Sequence, residues 1–261
     1  MLITIAAVAI VGLVTAWSII AFGSTQEKPR MTPSPSAGAS QKPTQTPTPA
    51  PTPTPTPPGF DKTARSIDDP ASIWVVVNKL RPLNPPSYAP ADLVDAPVAY
   101  ANSPLMRSEA AAAVVAMFSA ANAEGAGGMR LQSAYRSYNT QVNTYQYYVN
   151  TLGQAQADIA SARAGHSEHQ TGLTADISTG NSCILQECFA ATPQGGWLVG
   201  NAHRFGFMLR YPNGLTPITG FAFEPWHYRY VGVDLATEMH TKGIATLEEF
   251  FGLPAAPSYA G

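Results

Sequence analysis

The chain has 261 residues, a formal net charge of -2 and a pI near 6.2. That balance excludes the basic footprint of a protein that grips nucleic acid. Residues 2–23 carry no charge and are largely apolar, a run of the length that spans a bilayer. It exceeds the usual apolar core of a cleaved signal, and no Lys or Arg precedes it, yet Ala21-Phe22-Gly23 before Ser24 offers a cleavage site. A membrane anchor and a signal segment both stand open. No cysteine lies near this leader, so a lipoprotein anchor is excluded. Residues 24–60 are low-complexity, with Thr-Pro alternation and almost no large apolar side chain. They predict a disordered linker that could reach on the order of 110 Å in extended polyproline II form. Residues 61–261 remain, enough for one domain with a sizeable core.

Within that domain, Trp74-Val75-Val76-Val77 predicts a short strand, followed by a loop through Leu80-Arg81-Pro82-Leu83-Asn84-Pro85-Pro86. Residues 105–124 are Ala-rich and predict a helix buried through Val114, Val115 and Phe118. Gly125 and Gly127-Gly128 stop it. Residues 129–135 predict a strand. Ser137 can cap a helix over 138–152, whose Tyr145, Tyr147 and Tyr148 read as packing residues, and a further helix is expected over 154–164. Strands are expected over 173–177, 206–211, 219–223 and 226–231, and helices over 195–205 and 235–241. Thr246 caps a last turn through Glu249. Helices gathered in the first half and closely spaced strands in the second predict an α+β fold with an antiparallel sheet.

Two stretches carry chemistry. Ser167-Glu168-His169-Gln170-Thr171-Gly172-Leu173-Thr174-Ala175-Asp176 is answered by Glu224-Pro225-Trp226-His227-Tyr228-Arg229-Tyr230. Two histidines and one carboxylate form a usual catalytic zinc set with the fourth position left for water. His169, Asp176 and His227 are taken as that set, and Glu224 is then free to act as general base. The seven-residue step from His169 to Asp176 is not helical spacing. It suits a loop residue followed, past Gly172, by a strand residue. Pro225 marks a bend that lets Glu224 turn toward the metal although it lies an odd number of residues from His227. Glu168 reads as a solvated loop charge and Arg229 as structural. His166 lies near the site, whereas His203 and His240 read as helix residues. Cys183 and Cys188 are the only cysteines, and outside the membrane they most simply form a disulfide closing a small loop.

These stretches, together with Val77-Asn78-Lys79-Leu80-Arg81-Pro82-Leu83-Asn84, Ser133-Ala134-Tyr135-Arg136-Ser137-Tyr138 with Gln141, and Leu247-Glu248-Glu249-Phe250, resemble the VanY-type D-alanyl-D-alanine carboxypeptidases. Ala134 stands where Gly is commoner in that family, and Thr174-Ala175 departs from its Ala followed by a larger apolar residue. The resemblance implies a small antiparallel sheet flanked by helices, related to the hedgehog signalling domain. It also implies a Zn2+ cofactor on His169, Asp176 and His227 with Glu224 as base. Arg136 resembles the family's substrate-facing arginine, against a structural ion pair. Ser167 and Gln141 resemble substrate-side polar residues, against a loop cap and a helix-surface amide. The implied activity is removal of the terminal D-alanine from peptidoglycan stem peptides by an extracytoplasmic, membrane-anchored or secreted monomer. An L,D-carboxypeptidase, an endopeptidase and a non-catalytic zinc-stabilised wall-binding module are the alternatives.

Overall fold

The structure is a computed structural model that describes residues 59–180 and 183–260. The apolar run of 2–23 and nearly all of the Pro/Thr-rich segment lie outside the described residues. Among the described residues no helix is long and apolar enough to cross a membrane. Near the start of the described residues, the Phe60 ring packs on Trp74 and Phe250 at 5.5 and 5.6 Å between centroids.

A small hairpin of β1 (Leu93–Asp95) and β2 (Leu105–Arg107) leads into helix α1 (Ser108–Ala123). The helix buries Ala110, Ala111, Val114, Met117, Phe118 and Ala121. Met117 thus takes the core position expected of Val115, which is only partly buried. Strand β3 (Arg130–Ser133) follows, then α2 (Tyr138–Leu152), capped by the Ser137 hydroxyl accepting from the Thr140 amide, and α3 (Gln154–Ala160). A 3-10 turn over Glu168–Thr171 delivers the chain to β4 (Thr174–Ser178). Helix α4 (Pro193–Asn201), a 3-10 turn over Ala202–Phe205, β5 (Phe207–Leu209), the short α5 (Thr216–Thr219), β6 (His227–Tyr230), α6 (Val233–Lys242) and α7 (Leu247–Phe251) complete it.

The main sheet is antiparallel in the order β3-β4-β6-β5. Successive strand residues point to opposite faces. On β4, Ala175 and Ile177 therefore share the face of Tyr228 and Tyr230 on β6, packed into the core with Leu131, Phe207 and Phe250. The other face carries Thr174, Asp176, His227 and Arg229, with Asp176 directly opposite His227. The sheet thus has an apolar side that supplies burial energy and a polar side that holds the site.

Two expected strands are absent. Residues 74–77 are buried but unpaired as a strand, because arginine side chains take their carbonyls: Arg229 donates to Val75 O at 2.8 Å and Arg81 to Val76 O at 3.1 Å. Residues 219–223 begin as the last residue of α5 and turn at Gly220, whose φ of 84° takes the chain away from extended geometry. The helix expected over 195–205 divides at Asn201 into α4 and the 3-10 turn.

Candidate metal centre and active site

Gly172 adopts a φ of 68° between the 3-10 turn and β4, and a Cβ there would stand 2.9 Å from Leu93 Cδ2 and 3.0 Å from Arg107 Cγ. Only glycine makes this turn without strain, and the turn sends His169 and Asp176 to one place. His169 Nε2 lies 3.2 Å from Asp176 Oδ2, and His227 Nδ1 lies 3.3 Å from Asp176 Oδ1. The imidazoles meet edge to face at 5.1 Å between centroids. One potential ligand atom from each of the three residues falls within 4.8 Å of the others, and all three residues are buried. Glu224, just before the Pro225-Trp226 turn, brings Oε2 to 3.2 Å from His227 Nδ1.

The outward nitrogen of each ring has its own partner. His169 Nδ1 lies 2.7 Å from the Ala134 carbonyl, and His227 Nε2 lies 3.3 Å from Glu168 Oε2. Inward, Asp176 Oδ1 is sealed from solvent and accepts no hydrogen bond from the protein. A buried carboxylate oxygen rarely goes unpartnered. Two nitrogens and that oxygen, facing one another, are the donor set zinc takes, so the residues fit a Zn2+ ion. The field agrees. Burial raises the Asp176 pKa, but His169 and His227 outweigh it and hold the carboxyl well below the usual range. Burial likewise pushes His227 toward neutral, and the carboxylates of Asp176, Glu168 and Glu224 raise its pKa well above the usual 6.5.

One cleft is lined by His169, Asp176, His227, Glu224, Arg136 and Ser167 together. Arg136 donates to Gln141 Oε1 at 3.0 Å and to Ser133 Oγ at 3.1 Å, which aims its fork from the β3–α2 junction. Gln141 itself is buried behind Arg136, its amide donating to Ala162 O at 2.6 Å. It is the one expected substrate-side residue not on the cleft wall. His166 is also off the wall, 2.8 Å from the Asn78 carbonyl and edge-on to Tyr259. His203 and His240 stack on each other at 3.7 Å between centroids and line a different cleft. Cys183 and Cys188 form a disulfide with Cα atoms 5.5 Å apart.

Several wall residues escaped the sequence reading. Tyr148, taken for packing, lines the cleft, as do Trp226 and Leu185 from the disulfide loop. The largest correction is Glu168. It is not a solvated charge but is 1% exposed, and its Oε1 accepts from Arg210 Nε at 2.9 Å and Arg229 Nη1 at 2.8 Å. Burial raises its pKa, yet the two guanidinium groups prevail and hold it below the ordinary carboxylate range. Its partners lie 42 and 61 residues further along the chain, so no local pattern could have revealed them.

Residues 103–233 match the family described as VanY: D-alanyl-D-alanine carboxypeptidase. The putative carboxypeptidase YodJ of Bacillus subtilis is 40% identical over 192 residues, covering 71% of this chain and 69% of the relative. A D-alanyl-D-alanine carboxypeptidase of Enterococcus faecalis is 38% identical over 149 residues, about half of each chain at 51%. Among solved structures, the LdcB LD-carboxypeptidase is 40% identical with a TM-score of 0.65, covering 70% of this chain and 87% of its own. VanYB in complex with D-alanine-D-alanine is 30% identical with a TM-score of 0.58, covering 69% and 97%. A VanY variant from the VanB-type resistance cassette, solved with Zn(II), matches with the same identity and score over 69% and 99%. With two histidines and an aspartate gathered where they could hold a metal ion, beside the polar face of a matching sheet, the chain belongs to the VanY family of D-alanyl-D-alanine carboxypeptidases.

Proposed function

We propose that this protein is a zinc carboxypeptidase that releases the terminal D-alanine of peptidoglycan stem peptides. The observation that carries this is the meeting of His169, Asp176 and His227 with Glu224 and Arg136 in one cleft. His169, Asp176 and His227 would hold the ion. Zinc, when bound, supplies Lewis acidity that lowers the pKa of water and polarises the scissile carbonyl. Glu224 accepts a proton from the attacking water and returns it to the departing amine as the C–N bond breaks. Arg136, steadied by Gln141 and Ser133, presents a planar fork suited to a terminal carboxylate or a developing oxyanion. Ser167 lines the same cleft. The disulfide suits an oxidising, extracytoplasmic setting, with residues 1–23 as anchor or signal and the following Pro/Thr-rich segment as spacer.

A second bond is supported by a specific likeness: the LdcB LD-carboxypeptidase exceeds VanYB in both identity and TM-score. The purified protein should therefore be given pentapeptide stems ending in D-Ala-D-Ala and tetrapeptide stems, with products weighed. Loss of D-alanine from the pentapeptide supports the first reading, and loss from the tetrapeptide alone replaces it with the second. Glu224→Gln keeps the shape of the side chain and leaves the three ligands intact. It should bind zinc and lose about 10²–10⁴-fold in rate. A variant that cleaves at the wild-type rate removes Glu224 from the mechanism. Stem binding without cleavage of any stem offered favours a wall-binding module.

A further inference from the structure

We propose that Glu168 is a positioning residue that holds the Nε2–H of His227 and so reserves Nδ1 of that ring for the metal. The proposal rests on the reading of His227 as a ligand. A neutral imidazole carries one proton, and the nitrogen that donates it cannot also bind a metal. Glu168 Oε2 lies 3.3 Å from Nε2, while Nδ1 faces Asp176 Oδ1 and Glu224 Oε2 at 3.3 and 3.2 Å. The ring is thus flanked on one side by the site and on the other by a single acceptor.

That acceptor is held in place. Arg210 and Arg229 both donate to Oε1 of Glu168, which leaves Oε2 for the ring. The arginines are anchored in turn. Arg210 makes a two-pronged pair with Glu248 at 2.9 and 2.7 Å, and Glu248 accepts from Asn78. Arg229 donates onward to the carbonyls of Ile73, Val75 and Tyr230. Two buried arginines face two buried carboxylates, so the charges balance. A buried ion network of this kind is weak evidence for stability. A carboxylate that orients a metal-binding histidine is a known use for one. The network itself provides the comparison, because Glu248 shares Arg210 with Glu168 but makes no contact with His227.

The test begins with the full wild-type chain loaded with zinc. Nitrogen-15 NMR of the histidine rings should place the proton of His227 on Nε2 and the metal on Nδ1. A proton on Nδ1 overturns the proposal, and needs no variant. If His227 carries no metal at either nitrogen, the ligand assignment underlying the proposed function has failed instead. In Glu168→Gln the side-chain oxygen can still serve the arginines, which turns the amide N–H₂ toward Nε2. The ring must then accept there and carry its proton on Nδ1. Zinc affinity measured against a chelator should fall about 10–100-fold. Glu248→Gln removes a carboxylate from the same network and should leave zinc affinity at the wild-type level. Equal weakening in both variants would assign the effect to general damage and sink the positioning role.

Discussion

Arg210 is fully buried and binds Glu168 and Glu248 at once. Arg210→Met keeps most of the aliphatic length and removes the charge. Glu248 then loses both of its guanidinium bonds, and Glu168 keeps Arg229 as its one guanidinium partner beside His227. Breaking a buried pair from one side costs about 3–5 kcal/mol, because the remaining charge stays uncompensated. Against a whole-domain stability of about 5–15 kcal/mol, this is a large share. For a domain of this size each kcal/mol shifts the melting temperature by about 2–4 °C, so the fall should be about 6–20 °C. The assay is calorimetry in excess chelator, since zinc binds only the folded state and would mask the loss. A cost below about 1 kcal/mol would show that the network is an exposed-type pairing, and the reasoning from burial would be refuted.

Three further outcomes are expected. His227→Ala removes one of the three proposed ligands and should retain little zinc after dialysis; full occupancy by metal analysis would disprove the ligand set. Thiol titration of the unfolded, unreduced protein should detect no free thiol from Cys183 and Cys188, and two titratable thiols would contradict the bond. On acidification, the network's contribution should fade in a defined direction. Burial raises the Glu248 pKa, but Arg210 overrides this and holds it below the ordinary 4.5. A depressed folded pKa stabilises fully above the unfolded value and is lost as pH falls from there through the folded one. The wild-type advantage over Arg210→Met should therefore be largest near neutrality and shrink below about pH 4.5. An advantage that grows on acidification would reverse the sign and reject the argument.

That His169, Asp176, Glu224 and His227 come together could be read from the sequence, because Gly172 and Pro225 steer the chain through local geometry. The glycine permits a positive φ, the proline bends the chain before a strand, and the side chains are chemically suited to zinc. Helices with local caps, such as the one beginning at Ser137, were equally legible. The alternation in Thr174-Ala175-Asp176-Ile177-Ser178 even carries the two-faced character of its strand. Residues 74–77 and Glu168 were misread for a common reason. Valine repeats and an isolated glutamate look the same in sequence whether they meet a sheet, water or a distant arginine. Only the tertiary structure brings Arg210, just past β5, and Arg229 of β6 to Glu168, and Arg229 to the Val75 carbonyl, where a buried carboxylate and a bare carbonyl need donors. The residues of the candidate metal site follow from short-range chemistry. The surroundings that orient them depend on long-range packing, which burial enforces and no local pattern records.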